Sequence, residues 1–278
     1  MSVDFHFHSN CSDGALSPRA VVARAASHGA SMIALTDHDQ LAGLDEARAA
    51  ADELGVHFIN GVEISVTWRD LTIHVVGLNF DARNAALRVG LTEMANSRAA
   101  RAQKMSDLLA EVGILGAYEA ALDLAGGRTD LISRTHFARD LVARKKAVNV
   151  RSVFMDYLVA GKPGYVEHTW ANLVQAVDWI TNAGGVAVLA HPGRYMHSEE
   201  SDELQLLHEF KAAGGRAIEV VTGSHSKGQY KKYASIATDL GFLASRGSDF
   251  HAKNESKMDI GKVPPLPAGL TPVEAFWL

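Results

Sequence analysis

The sequence predicts an α/β protein in which short apolar strands alternate with helices, interrupted by one helical insertion. Apolar runs of strand length alternate with helical segments from residue 3 to residue 78, and the alternation resumes near residue 165. Residues 81–164 are rich in Ala, Leu and Arg and show no convincing strand. Alternation of this kind predicts parallel strands with helices outside them. We therefore assign residues 1–80 and 165–278 to the α/β part, and residues 81–164 to an insertion that we expect to cover the active site.

The first half of the α/β part has clear start and stop signals. Ser17 and Pro18 suit the N-cap and first position of a helix that ends before Gly29. Gly55 ends a second helix in the same way. The predicted strands are 3–7, 32–35, 57–67 and 71–78, and the predicted helices are 18–28 and 41–54.

The second half repeats the pattern after a long predicted helix, residues 83–112, at the start of the insertion. The predicted helices are 172–182, 203–213 and 227–240, and the predicted strands are 185–190, 217–221 and 243–245. An irregular tail follows from Val263. No internal repeat or low-complexity segment interrupts this order.

Composition excludes several classes of function. With 278 residues, 47% hydrophobic content and a net charge of −5, the chain is typical of a soluble globular protein and does not suit non-specific binding to long nucleic acid. The single cysteine, Cys11, cannot form an internal disulfide, which fits a reducing cytoplasm. We find no leader peptide or membrane span, and we expect a cytoplasmic protein. A catalytic role for Cys11 is disfavoured because the nearby histidines suit a metal better.

The strongest local signal is the pair His6-Phe7-His8, followed by Asp13. Residues i and i+2 of a strand point to the same side, so the pair directs two imidazoles to one place. Imidazole and carboxylate ligands suit Zn, Mn or Fe. A pair of surface histidines is the alternative for this motif taken alone.

Other candidate ligands occupy equivalent places, inside or just after predicted strands. The ends of strands are where barrels and open α/β sheets build their sites, so distant residues should converge on one rim. Glu63 and His74 interrupt apolar strands, although His74 alone would suit a satisfied core histidine. The acids beside His38 could orient its ring or cap the next helix. The full set is His6, His8, Asp13, His38, Glu63, His74, His191, Asp249 and His251.

These motifs resemble those of the PHP (polymerase and histidinol phosphatase) family of metal-dependent phosphoesterases. The resemblance rests on His6-x-His8 with Ser12-Asp13-Gly14, Thr36-Asp37-His38-Asp39, Glu63, His74, Ala190-His191-Pro192 and Ser248-Asp249-Phe250-His251. It implies a distorted (β/α)7 barrel and two or three divalent metals, Mn²⁺ before Zn²⁺ or Fe²⁺. It further implies one metal at His6, His8, Glu63 and Asp249, a second at Glu63, His74 and His191, and a third at Asp13, His38 and His251.

The insertion after His74, with its segments Ser133-Arg134-Thr135-His136 and Gly161-Lys162-Pro163, is similar to that of one branch of this family, the bacterial 3′,5′-nucleoside bisphosphate phosphatases. This resemblance implies that a metal-bridging hydroxide removes the 3′-phosphate of a small nucleotide such as adenosine 3′,5′-bisphosphate. The alternatives are 5′–3′ exonuclease activity on short single-stranded RNA, histidinol-phosphate phosphatase activity and a non-catalytic PHP module. A deacylase or amidohydrolase on a related barrel is disfavoured, because the ligand set differs. No membrane or long duplex partner is expected.

Basic residues beside Gly or Ser are candidates for binding phosphate. They are Arg134, Lys162, Arg194 and His225. Ordinary solvated roles are the alternative for each of them. By contrast, we expect the helical cations Arg98, Arg101, Lys104 and Arg144-Lys145-Lys146 to be solvated, and His28, His57, His197 and His208 to be exposed or to serve packing.

Overall fold

A computed structural model describes residues 2–195 and 200–278 of the chain. They divide into two compact units. The first comprises the residues up to Leu91 together with Trp170–Leu278, and the second is Thr92–Thr169. We call these the barrel unit and the helical unit.

The sheet of the barrel unit confirms the predicted seven-stranded barrel. Its neighbouring strands follow the order β1-β2-β3-β4-β6-β7-β8, and the short strand β5 pairs with β3 outside this path. The strands are β1 Val3–Asp4, β2 Met32–Leu35, β3 His57–Trp68, β4 Leu71–Leu78, β5 Ala171–Asn172, β6 Val186–Leu189, β7 Ala217–Thr222 and β8 Leu243–Gly247.

The barrel closes where the chain beyond β1 meets the chain at and beyond β8. The Phe5 N–H donates to the Arg246 carbonyl (3.1 Å), and the Asp249 N–H donates to the His6 carbonyl (2.7 Å). The His8 N–H donates in turn to the Phe250 carbonyl (2.9 Å). These bonds satisfy backbone groups that would otherwise form two open sheet edges. They also bring two of the predicted ligand motifs side by side.

The expectation that the strands are parallel is wrong for β4. This strand runs antiparallel to β3, to which the Arg69-Asp70 turn connects it, and antiparallel to β6 on its other side. A connection of two residues can join only antiparallel strands, since a parallel pair needs a long crossover. The reversal places the beginning of β4, where His74 lies, next to the ends of β3 and β6. His74 therefore reaches the same rim as ligands that follow other strands.

The helices lie close to their predicted positions. Ser17 caps α1 by accepting from the Ala20 N–H, and Gly55 ends α2 with a positive φ of 67°. The second helix begins at Leu44, three residues after its predicted start. The bounds are α1 Pro18–Ser27, α2 Leu44–Leu54, α3 Ala85–Glu111, α4 Ala117–Leu124, α5 Arg134–Ala143, α6 Val150–Val153, α7 Leu173–Asn182, α8 Glu200–Ala212 and α9 Lys227–Leu240.

An apolar core fills the barrel beneath the rim. On β4, Val76 and Leu78 belong to this core and share a side of the strand with His74. On β3, Ile59 shares a side with Glu63 in the same way. Along one face of each strand, apolar core side chains are followed toward the rim by a candidate metal ligand. Glu63 and His74 therefore lie directly above the apolar core.

The helical unit has a core of its own. Buried residues from its helices form a separate hydrophobic cluster that includes Met105, Leu109, Phe137 and Leu141. No helix within residues 2–195 and 200–278 is both long enough and apolar enough to cross a membrane.

The seam of the barrel, where residues 5–8 bond to residues 246–250, gives a test of the fold. A Cβ atom at Gly247 would lie 2.2 Å from the Cβ of His6 and 2.6 Å from its backbone nitrogen. We expect Gly247→Ala to lower the free energy of unfolding by at least about 2 kcal/mol, because overpacking against backbone cannot be relieved by a rotamer change. Urea denaturation would measure the loss.

Gly228→Ala is the matched control. Gly228 lies in α9, where the nearest atom to an added Cβ is Ser226 Oγ at 3.8 Å. Alanine should leave the stability unchanged or raise it slightly, since glycine is the poorer helix former. Equal stability of the two variants would contradict the close packing at the seam.

Candidate metal centre

The structure brings all nine predicted ligands together at one rim of the barrel. His6 and His8 follow β1, and His38 follows β2. His191 lies two residues after β6, and Asp249 lies two residues after β8. Four overlapping groups have ligand atoms within 4.8 Å of one another: His8, Asp13, His38 and His251; His6, Glu63 and His191; His6, His8 and Asp249; and His38, Glu63 and His74.

Glu63 lies at the centre of these groups and is fully buried. Its Oε1 atom is 2.8 Å from His74 Nδ1 and 2.9 Å from His191 Nε2. Its Oε2 atom is 3.0 Å from His38 Nδ1 and 3.3 Å from the Nε2 atoms of His6 and His8. One carboxylate therefore faces five imidazole rings, an arrangement that suits a ligand bridging two cations.

Two further acids extend the cluster on either side. Asp249 Oδ1 lies 3.7 Å from His6 Nε2 and 3.6 Å from His8 Nε2. Asp13 Oδ1 lies 3.4 Å from His251 Nε2 and 3.9 Å from the Nε2 atom of His38. The acids alternate with the histidines, so each possible cation position has both kinds of ligand nearby.

The buried polar atoms of this cluster fit divalent metal ions. His6 Nε2, His8 Nε2, Glu63 Oε2 and Asp249 Oδ1 are all buried, and none has a hydrogen-bond partner among the described residues. Buried polar atoms are almost always satisfied, because an unpaired one costs about 1–3 kcal/mol. These nitrogen and oxygen atoms approach one another to 3–4 Å, and His6 directs Nε2 at them because its Nδ1 is bonded to Glu219. Zn, Mn and Fe prefer ligand atoms of these types.

The electrostatics of the cluster also suit metal binding. Burial would raise the pKa of Glu63, but His74, His38 and His6 hold that pKa well below its usual range. Burial lowers the pKa of His191 and His38. Burial acts in the same direction on His6 and His8, but nearby carboxylates raise the pKa of both rings. Metals bind ionised carboxylates and neutral imidazoles, so metal binding would displace protons from these rings.

Glu219 in β7 is a functional residue that the sequence analysis missed. It is 1% exposed, and its Oε1 accepts a hydrogen bond from His6 Nδ1 (2.8 Å). Its Oε2 accepts one from the His191 N–H (2.7 Å). A carboxylate that holds Nδ1–H of a histidine leaves Nε2 free to bind a metal and fixes the ring plane. The signal was present, since Glu219 interrupts an apolar strand as Glu63 does.

The acids beside His38 bond to serine residues, and neither of them is the N-cap of α2. Asp37 accepts hydrogen bonds from the Ser9 N–H (2.7 Å) and from the hydroxyls of Ser9 (2.6 Å) and Ser12 (2.7 Å). Asp39 accepts from the N–H and hydroxyl of Ser65 (2.7 and 2.9 Å). The N-cap of α2 is Gly43, which makes no side-chain cap bond. Asp37 and Asp39 thus fix the backbone around the ligands.

Asp4 is a second missed residue, and it holds the closing seam. It is fully buried and accepts hydrogen bonds from the Ser248 N–H (2.8 Å) and the Gly261 N–H (2.9 Å). Burial raises the pKa of Asp4 to about 6, although these bonds act in the opposite direction. The side chain thereby fixes the backbone that leads into Asp249.

Backbone strain is concentrated at this rim. Asp39, His191 and Asp249 have positive φ angles of 52°, 29° and 52°. Residues other than glycine pay roughly 1–2 kcal/mol for this region, so the surrounding contacts must enforce it. Strain of this kind is common where a side chain must be aimed at a functional site.

The candidate substrate-binding residues have different surroundings. Arg194 lies at the rim, where its Nη1 is 3.6 Å from Asp249 Oδ2 and half of its side chain is exposed. His225 is only 7% exposed, and both ring nitrogens are bonded to backbone groups, which argues against the expected direct contact with substrate. In the helical unit, Lys162 is exposed and Arg134 lies over the ring of Phe154.

Other sequence expectations also differ from the structure. Arg98 and Arg101 are 7% and 9% exposed, so they are not solvated helix cations. Burial and the neighbouring Arg134 and Arg98 lower the pKa of Arg101 to about 9. Of the histidines expected to be exposed or to serve packing, His57 and His208 are exposed, His28 bonds the Ile260 carbonyl, and His197 lies outside the described residues.

A seven-stranded barrel with a buried histidine–carboxylate cluster at one rim defines a metallohydrolase type of architecture. The family model of the PHP domain matches residues 4–222. The chain belongs to the PHP domain family.

Three relatives show how closely the chain follows known proteins. A 3′,5′-nucleoside bisphosphate phosphatase of Chromobacterium violaceum is 47% identical over 98% of this chain and 95% of its own length. A 5′-3′ exoribonuclease of Haemophilus influenzae is 41% identical over 89% of each protein. The solved structure of an amidohydrolase from Chromobacterium violaceum, with bound sulfate and no metal, has a TM-score of 0.96 at 46% identity, over 99% of this chain and 95% of that one.

Glu219→Gln tests the support of the cluster. Glutamine has an acceptor at only one of the two positions that Oε1 and Oε2 occupy, so either His6 Nδ1 or the His191 N–H would face an NH₂ donor. We expect metal affinity to fall by roughly 10–100-fold, as is usual when the partner of a ligating histidine is lost. Titration with Mn²⁺ would measure it. Glu53→Gln, at an exposed ion pair with Arg19, is the control, and equal affinities would refute the role of Glu219.

Proposed function

We propose that the protein is a metal-dependent phosphatase that removes the 3′-phosphate of nucleoside 3′,5′-bisphosphates. The observation that carries the proposal is the convergence of six imidazoles and three carboxylates at one barrel rim. The family supports phosphoester chemistry, and the relative from Chromobacterium violaceum supports this substrate.

The nine converging side chains are the proposed metal ligands. His6, His8 and Asp249 would serve one ion, and His74 and His191 a second, with Glu63 between them. Asp13, His38 and His251 would serve a third. Divalent metals, for which Mn²⁺ remains our prediction, would lower the pKa of a bound water and offset negative charge on phosphate.

The charge balance of the cluster favours an anionic substrate. Three dications would bring about +6, and the three carboxylates remove three of these charges. The positive charge that remains would favour binding of a phosphate dianion. Arg194 adds a guanidinium at the rim, and its planar donors match the oxygens of a phosphoryl group. Arg194 is therefore the side chain that we assign to the reacting phosphate.

A second phosphate requires a second set of cationic contacts. Arg134 and Lys162, basic residues beside Ser and Gly, remain the proposed contacts of the phosphate that is not hydrolysed.

Exonuclease activity on short RNA is the second candidate, because a 41% identical relative is a 5′-3′ exoribonuclease. The same metal cluster would serve both reactions, since each breaks a phosphoester bond. The difference lies in the group that follows the reacting phosphate.

Removing a ligand tests the metal assignment. We expect His8→Ala or Asp249→Ala to abolish phosphate release while the fold survives, because each side chain is proposed to bind a catalytic ion. Phosphate release and the metal content of the purified protein would be measured together. His57→Ala removes an exposed histidine and should retain full activity. Full activity in either ligand variant, with metal still bound, would disprove the assignment.

Substrate preference tests the specific activity. With Mn²⁺ present, we expect phosphate release from adenosine 3′,5′-bisphosphate to exceed by at least about tenfold that from adenosine 5′-monophosphate or histidinol phosphate, since only the bisphosphate offers both anionic groups. A preference for 5′-phosphorylated RNA would instead support the exonuclease. Release from none of them by the metal-loaded protein would favour a non-catalytic module, and the Asp249→Ala variant controls for contaminating phosphatases.

A further inference from the structure

Two neighbouring loops of the barrel rim are joined at Gly193. This residue belongs to the loop after β6, between the ligand His191 and the candidate contact Arg194. The Gly193 N–H donates to His225 Nε2 (2.9 Å), and the side-chain amide of Gln229 donates to the Gly193 carbonyl (2.8 Å). His225 and Gln229 lie in the loop after β7 and in α9. Both polar backbone groups of Gly193 are thus held by side chains of the next element.

The bonding of His225 fixes its chemical state. Its Nδ1 lies 3.1 Å from the Val220 carbonyl, which can only accept, and its Nε2 faces the Gly193 N–H, which can only donate. The ring is therefore neutral with its proton on Nδ1. Burial lowers the pKa of His225, in agreement with this state. Neither nitrogen is left for a substrate.

Packing around Gly193 leaves no room for a side chain at this position. The ring of His225 stacks on Tyr233, with centroids 4.7 Å apart. A Cβ atom at Gly193 would lie 2.4 Å from Gln229 Nε2 and 2.9 Å from Tyr233 Cε2. The residue just before Arg194 is therefore both closely packed and bonded through its backbone.

We propose that His225 and Gln229 form a clamp on Gly193 that positions Arg194 to bind the phosphate being hydrolysed. Arg194 contacts the substrate, whereas His225 and Gln229 are positioning residues that act through it. The inference rests on the proposed phosphatase function. The 3.6 Å approach of Arg194 to Asp249 shows that the clamped loop directs its guanidinium toward the ligand cluster.

Two variants remove the clamp in different ways. His225→Phe keeps a ring on Tyr233 but removes both nitrogens. Gln229→Glu keeps the acceptor for the Ser226 N–H (2.8 Å) that caps α9, but loses the donor to Gly193. Lys227→Ala, in the first turn of the same helix, is the control.

The measurements are the Kd of inorganic phosphate for the Mn²⁺-loaded protein, kcat and KM for the bisphosphate, the Mn²⁺ affinity and the thermal stability. We expect each clamp variant to weaken phosphate binding and lower kcat/KM by about tenfold. In an Arg194→Ala background, neither clamp variant should further lower phosphate affinity or kcat/KM, because both changes remove the same interaction.

Additive losses in the Arg194→Ala background would overturn the proposal, since the clamp would then act independently of Arg194. Weakened Mn²⁺ binding with an unchanged phosphate Kd would also overturn it, because the effect would pass through His191. If the wild type hydrolyses no phosphate ester, the proposed function fails. The phosphate Kd of the variants still decides whether the clamp positions Arg194.

Discussion

The buried carboxylate of Glu63 is the constraint around which the barrel rim is organised. A charge with no exposure to water must be compensated nearby, and here five imidazoles lie within 3.3 Å of its two oxygens. Such crowding requires the ends of several strands to meet within a few ångströms. The closed seam, the reversed strand β4 and the strained backbone at His191 all serve that convergence. Glu219 then holds His6 and His191 in place, and Asp37 holds the backbone beside His8 and Asp13 through Ser9 and Ser12.

Features set by local chemistry could be predicted from the sequence. The cap at Ser17, the stop at Gly55 and the full extent of Lys227–Leu240 depend on neighbours in the chain, and the structure agrees with them. The pair His6 and His8 also depends only on local geometry, since residues i and i+2 of an extended segment point to the same side. The barrel followed from the family resemblance and from the regular order of elements, whereas the direction of β4 depended on recognising that a two-residue turn forbids a parallel neighbour.

Burial and partner choice could not be predicted in this way. The cations Arg98 and Arg101 have the spacing of a solvated helix face, yet both are buried in the folded protein. His225 sits in a loop rich in Ser and Gly, typical of a binding loop, but its nitrogens face backbone groups that only the fold brings near. Glu219 was not predicted, although it lies within an apolar strand as Glu63 does. An acid within an apolar strand should therefore always be treated as a candidate functional residue.

The seam between the first and last strands has a consequence for biosynthesis. The side chains of the cluster are drawn from residue 6 to residue 251, and the barrel closes only when the chain around Asp249 bonds to His6 and His8. A nascent chain emerging from the ribosome therefore carries His6 and His8 long before their partners exist. Until the chain around Asp249 has been made, the N-terminal segment remains an open sheet edge, and a premature stop before β8 would remove Asp249 from one proposed metal position and His251 from another.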